Sequence, residues 1–183
     1  MQFTSDLRDD HDLILEVLEY FESGMSVARA DGRVDAAAFT PFVQFFGGFA
    51  DHCHHAKEER ALFPAMVRAG FPAEAGPIGC MLEEHAQGRE LLTAMNRSLA
   101  AAGDDPARAL DDMLEAGARY VHLLRNHIAK ENGVLFVMAD NLLAGAEARR
   151  VHEEIAALAG TADQLDMARR ARQLVTRMEQ VMR

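Results

Sequence analysis

The chain has little of what marks several large functional classes. Its two cysteines, Cys53 and Cys80, form no Cys-x-x-Cys pair, so neither a zinc ribbon nor a disulfide scaffold is indicated. No stretch approaches the roughly 18 apolar residues of a membrane span. The amino terminus shows no basic segment followed by an apolar one, so no signal peptide is expected. Glycine-rich phosphate loops are absent. Positive charge is the minority, with 19 Lys and Arg against 29 Asp and Glu and a formal charge of −10. That balance argues against nucleic acid or an anionic membrane as the partner. These absences predict a cytoplasmic protein, and 183 residues suffice for a domain with a full core.

What remains is helix-forming sequence, rich in Ala, Leu, Glu, Arg and Met, with its Gly and Pro gathered at a few breaks. Ser5 can cap a first helix that runs to about Ala30 and stops at Asp31-Gly32. Thr40-Pro41 has the form of a helix start, and the second helix should reach Ala69, with a kink or irregular turn at Pro64. Gly76-Pro77 opens a third helix to about Ala102, and Asp105-Pro106 a fourth to near Leu143. A shorter fifth spans about Ala146 to Leu158, and Thr161 can cap a sixth to Met182. Short breaks predict an all-α, up-down-up-down four-helix bundle over residues 1–143. Residues 144–183 would form a helical hairpin that packs on the bundle or makes a homodimer contact.

Two stretches say nearly the same thing: His54-His55-Ala56-Lys57-Glu58, closing with Leu62-Phe63, and His127-Ile128-Ala129-Lys130-Glu131, closing with Leu135-Phe136. His54 to His127 is 73 residues, as is Glu58 to Glu131, and Asp9-Asp10-His11 matches Glu83-Glu84-His85 at a spacing of 74. Each half is thus a helical hairpin carrying one lone His and then a His-x3-Glu pair, whose members share a helix face. His with Glu suits iron, manganese or zinc better than a soft thiolate-bound metal.

A lone helical histidine is usually a surface or hydrogen-bonded core residue, but here the flanking residues argue otherwise. At about 100° per residue, Tyr120, Leu123, Leu124, Val134 and Met138 surround His127 and Glu131. Gly47, Ala50, Ala61, Leu62 and Ala65 do the same for His54 and Glu58. His11 lies among Leu7, Ile14, Leu15 and Leu18, and His85 among Ile78, Met81, Leu82 and Leu92. Two carboxylates in such a stripe need positive partners, which two metal ions would supply. The expected metal residues are His11, His54, Glu58, His85, His127 and Glu131. His55, about 100° round from His54, can reach one metal as an extra ligand.

The repeat aligns Glu131 with Glu58 rather than Glu59. Lys57 and Lys130 match each other and are expected on the surface or in support of the ligands. His52 and His122 should face solvent, and His152 has no repeat partner. No Glu-x-x-His pair of the ferritin type occurs, and His152-Glu153 lacks the second His of a zincin helix.

These residues resemble the hemerythrin-like, or HHE cation-binding, domain family. The pattern is His11, His54-x3-Glu58, His85 and His127-x3-Glu131, and its surroundings at Lys57–Pro64 and Lys130–Phe136 are similar to bacterial members. The likeness covers residues 5 to 143. It implies a non-haem di-iron centre inside the bundle, oxo- or hydroxo-bridged, with manganese or zinc as substitutes. Glu58 and Glu131 would bridge the irons, and His11, His54, His85 and His127 would be terminal ligands. Binding of O2, NO or peroxide in sensing or scavenging is implied, with turnover of peroxide or NO, or iron storage and iron-centre repair, as alternatives. The oxygen carriers of the family differ from this chain. They place His-x3-His on the third helix where His85 is followed by Arg89, and an Asp five residues after its His where Glu131 follows at four. One imidazole is therefore missing, and His55, a water or a carboxylate fills the gap, or both irons keep an open position.

Overall fold

The computed structural model describes residues 4–181, which form six helices and no strand. They are α1 (Ser5–Asp31), α2 (36–68), α3 (Gly76–Ala101), α4 (106–142), α5 (Gly145–Ala159) and α6 (Ala162–Val181). Helices α1 to α4 make the antiparallel bundle, with α3 along α4 and α1 packed against both α2 and α4. Among the described residues no helix is long and apolar enough to cross a membrane.

The helix ends follow local chemistry, with two departures from the sequence expectations. Ser5 does not cap α1; it is the first helical residue, and Thr4 before it turns its hydroxyl to Asp140 at 2.9 Å instead. Helix α2 starts not at Thr40-Pro41 but after Asp35, whose carboxylate accepts from the N–H groups of Ala37 and Ala38 at 3.0 and 3.3 Å. Thr40 is inside the helix, donating to the carbonyl of Ala36. Asp105 caps α4, accepting from Arg108 N–H, and Thr161 caps α6, accepting from Gln164 N–H. Gly32 closes α1 in the left-handed region at φ 68°, which an L side chain rarely adopts. The expected end of the last helix at Met182 lies outside the described residues.

Helices α2 and α4 are not uniformly α-helical. Phe46–His55 and Glu58–Leu62 in α2, and Glu131–Leu135 in α4, are wound with i→i+5 bonds. This wider winding turns each residue through a smaller angle, and such segments recur at functional sites. The two short segments are repeat partners, each beginning on the Glu of a His-x3-Glu pair. In α2 the segment ends just before Phe63-Pro64, so the irregular turn expected near Pro64 is present. In α4 it defeats the ideal wheel: Val134, expected beside Glu131, is 52% exposed. Leu82, expected against His85, is 38% exposed.

Two apolar cores result. One gathers Phe21, Phe39, Phe42, Phe46, Met113 and Tyr120, with Phe21 packed edge-on against Phe39 and Phe46. Gly117 lets α4 approach α1 here, because a Cβ would lie 3.1 Å from the Phe21 ring. The other core gathers Leu7, Leu62, Met66, Ile78, Met81 and Phe136. Helix α6 adds Ala171 and Leu174 to the first, and α5 adds Val151 and Ile155 to the second. Between the two cores, on all four bundle helices, lies a layer of polar side chains.

Phe21 has no solvent exposure. Phe21→Ala is expected to cost about 3–5 kcal/mol in denaturant unfolding. Val27→Ala on the same helix, at a site 59% exposed, should stay within about 0.5 kcal/mol of the parent.

Candidate metal centre

The polar layer contains every sequence-predicted site residue. His11 comes from α1, His54 and Glu58 from α2, His85 from α3, and His127 and Glu131 from α4, the last just beyond its regular α-helical part. All are at most 2% exposed, and His55 joins them at 5%. Their ligand atoms form two clusters, each with all its atoms within 4.8 Å of one another: His11, His54, Glu58 and Glu131; and His55, Glu58, His85 and His127. Glu58 spans the two, with Oε1 3.4 Å from His54 Nε2 and Oε2 3.5 Å from His85 Nε2. Glu131 Oε2 lies 3.1 Å from His11 Nε2 and 3.2 Å from His127 Nε2.

The inward atoms are mutually unsatisfied. Both oxygens of Glu58 and of Glu131, and Nε2 of His11, His54 and His55, are buried without an aligned hydrogen-bond partner. The 3.1–3.5 Å approaches bring charges together but do not make hydrogen bonds. The Nε2 atoms of His85 and His127 face each other at 3.2 Å. Buried polar groups are almost always partnered, so lone pairs converging in this way fit a divalent cation at each cluster. The donor set, imidazole nitrogen with carboxylate oxygen, is of the kind iron, manganese and zinc accept.

The outward atoms are, by contrast, all held. His54 Nδ1 meets Asp10 at 3.2 Å, His85 Nδ1 meets Glu59 at 2.8 Å, His127 Nδ1 meets Glu84 at 2.9 Å, and His11 Nδ1 meets the Asn132 side-chain oxygen at 2.9 Å. Each acceptor sits on the bundle helix before its histidine, α1 to α2, α2 to α3, α3 to α4 and α4 back to α1, so the braces close a circuit. His55 Nδ1 is held from its own helix by Asp51 at 3.2 Å. An Nδ1–H donated outward leaves the Nε2 lone pair facing in, the tautomer a metal requires.

Cations anchor the acceptors. Lys57 donates to Asp10 at 2.6 Å, Lys130 to Glu84, and Arg8 to the backbone carbonyl of Asn132 at 3.0 Å. Arg89 holds two, donating to Asp51 at 2.8 Å and to Glu59 at 2.7 Å. The closing phenylalanines of the repeat act in parallel: Phe136 stacks on His11 at 5.2 Å and Phe63 on His85 at 5.9 Å. His55 stacks face to face on His85 at 3.8 Å.

The sequence points to the inward residues and leaves Lys57 and Lys130 either on the surface or in support of the ligands; both support them. The sequence does not assign Asp10, Asp51, Glu59, Glu84 or Asn132, nor the two phenylalanines. The repeat was the signal available, since Asp10 pairs with Glu84, Glu59 with Asn132, and Phe63 with Phe136. His52 and His122 are exposed, as expected, and so is His152.

Burial alone would neutralise this layer, but its charges hold one another. Burial opposes protonation of His54 and His127, yet the charge of Glu58 lifts the first to about 9 and that of Glu131 the second to about 10, helped by Asp10 and Glu84. Burial would raise Glu58, but His54 and His85 hold it well below the usual carboxylate range. At His55 burial prevails over its bond to Asp51 and lowers the pKa to about 4.

A narrow cleft between α3 and α4 leads from the surface to His55, His85 and His127. It is walled by Gly88, Leu92, Tyr120, Leu123 and Leu124, with Arg89 alongside, and leaves about 10 Å³ for the centre of a water-sized molecule. That is room for about one water.

Fold and site together define a metal-binding helical bundle. The family model for the hemerythrin HHE cation-binding domain matches residues 2–139, and the chain belongs to that family. Uncharacterised proteins of Mycobacterium bovis and of Mycobacterium tuberculosis are similar to it at 27% identity over 150 residues. The match takes in 81% of this chain but 57% of the relatives' length, so the chain spans little more than half of the curated proteins it matches. No solved structure matches it significantly.

A histidine raised in the folded state contributes stability that is complete below its unfolded value and lost as pH climbs through the folded one. With His54 and His127 near 9 and 10 against an ordinary 6.5, metal-stripped protein should lose thermal stability from about pH 7 to pH 10. His55, lowered to about 4, acts oppositely, so its contribution is lost as pH falls from about 6.5 towards 4. Thermal melts of chelator-treated protein across this range check both slopes, and a flat profile contradicts them.

Proposed function

We propose that the polar layer holds two iron ions and that the protein binds O2, NO or peroxide there, in sensing or scavenging. The observation that carries this reading is the convergence of unpartnered imidazole nitrogens and carboxylate oxygens on two positions that share Glu58. His11 and His54 would serve one ion and His55, His85 and His127 the other, with Glu58 and Glu131 between them. His55 thus provides the fifth imidazole, and Arg89, on α3, holds its brace. Manganese or zinc could occupy the same donors.

Iron bound here would supply reversible redox chemistry and coordination positions open to small ligands. The residues supply the rest. The circuit of Nδ1 braces fixes the orientation of each imidazole, so the donors need not rearrange when the charge at the centre changes. The apolar cores on either side exclude bulk water. The cleft beside Arg89 has room for about one water, which supports a diatomic or peroxide ligand over an organic substrate.

Anaerobic reconstitution with ferrous iron is expected to load two ions per chain, read by elemental analysis. Zero or one would refute the paired centre. Glu58→Ala removes the carboxylate common to both clusters and should abolish paired loading, whereas Glu131→Ala should retain one ion. Circular dichroism shows whether each variant is folded. Stopped-flow spectra with O2, NO and peroxide then distinguish binding from turnover. A lasting adduct supports the binding reading, and catalytic consumption of peroxide without one supports an enzyme.

A further inference from the structure

The brace circuit is unequal on its two sides. Two of its links are equivalent under the repeat: Lys57–Asp10–His54 and Lys130–Glu84–His127. The other two are not. His85 donates to the carboxylate of Glu59, but His11 donates to the neutral amide of Asn132, whose oxygen also lies 3.4 Å from Arg8. The fifth brace, Asp51 on His55 with Arg89 behind it, has no counterpart at all. The repeat puts Leu124 and Ile128 of the second half where the first has Asp51 and His55, and Leu15 of the first half where the second has Arg89, and Leu124 and Ile128 are buried in the apolar core.

Behind its imidazoles the position of His55, His85 and His127 has three carboxylates, and that of His11 and His54 has one carboxylate and one amide; the second also faces Glu131 beside the shared Glu58, so the acids in and behind the ligands number four against three. A carboxylate accepting Nδ1–H makes the imidazole a stronger donor and adds negative charge close to the ion, where a neutral amide does neither.

We infer that Glu59 and Asn132, as positioning residues, make the two metal positions unequal: the His55/His85/His127 position fills first and retains its ion, and the His11/His54 position exchanges. This rests on the reading that the chain holds two ions. The paired arrangement is then one permanent and one replaceable metal, and replacement or loss of the second would switch the centre without emptying it.

Zinc, which has no redox change to confuse the result, is the probe. Titration against a chromophoric chelator should show two steps for the parent protein. Glu59→Gln should weaken the first step by about 10- to 100-fold, and Asn132→Asp should tighten the second and narrow the gap. In the parent protein, histidine side-chain NMR should show His55, His85 and His127 responding to the first equivalent and His11 and His54 only to the second. Simultaneous response of all five histidines, steps of equal affinity, or a gap unmoved by folded Asn132→Asp would overturn the inference while leaving two ions per chain. Saturation at one ion would instead overturn the paired centre itself.

Discussion

Two carboxylates, Glu58 and Glu131, sit at the middle of a helical bundle with no solvent exposure, and the rest of the structure is arranged around tolerating them. Each would lose several kcal/mol of hydration without compensation. Compensation cannot come from apolar neighbours, so the layer is filled with imidazoles, and each imidazole needs a partner for its second nitrogen. That requirement moves outward to Asp10, Asp51, Glu59, Glu84 and Asn132, and from them to the buried Lys57 and to Lys130, Arg8 and Arg89, which reach solvent. The hydrophobic core is divided in two as a consequence, because no apolar side chain can cross the layer.

The circuit of braces also explains why the repeat extends beyond the His-x3-Glu pairs. A duplicated ligand alone would need only His54, Glu58, His127 and Glu131. The lysine three residues after each histidine anchors the acid that holds that same histidine. The residue after each Glu holds the lone histidine of the next helix, and the phenylalanine five residues after each Glu stacks on it. The repeated His, Lys, Glu and Phe, and the residue after each Glu, thus each have a task at the bundle centre, and each bundle helix depends on its neighbour for the geometry of its ligand. Such mutual dependence favours a cooperative site, because tilting one helix disturbs a histidine on the next.

Much of this could be read from the sequence because helix periodicity and an internal repeat are both one-dimensional signals. The six helices, their approximate spans and the six inward residues follow from them. Residue type alone suggests Ser5 as the cap of α1 and Thr40-Pro41 as the start of α2, whereas Ser5 is itself the first residue of α1 and α2 starts after Asp35, whose place before three alanines is not a strong pattern. Val134 was misplaced because an ideal wheel cannot register the wider turn at Glu131–Leu135, and that turn arises where a buried carboxylate is held in the layer. The acceptors were hard to see for a different reason: Asp51, Glu59 and Glu84 look like ordinary charges on a solvated face, and only the neighbouring helix reveals what they hold.

Arg89 shows how a cation on α3 can serve such a site without being a ligand. In the oxygen carriers that the sequence resembles, the third helix carries a second histidine at this position. Here the guanidinium cannot act as a ligand, but its two bonds fix Asp51 and Glu59, the braces of His55 and His85. The wider winding over Phe46–His55 reduces the turn between adjacent residues, which lets His54 and His55 both face the layer although they are neighbours in sequence. Arg89 on α3 and the imidazole of His55 on α2 are therefore linked through Asp51. A histidine at position 89 would release Asp51 and Glu59 from the cation they share, so the gain of an imidazole on α3 would loosen the braces of His55 and His85.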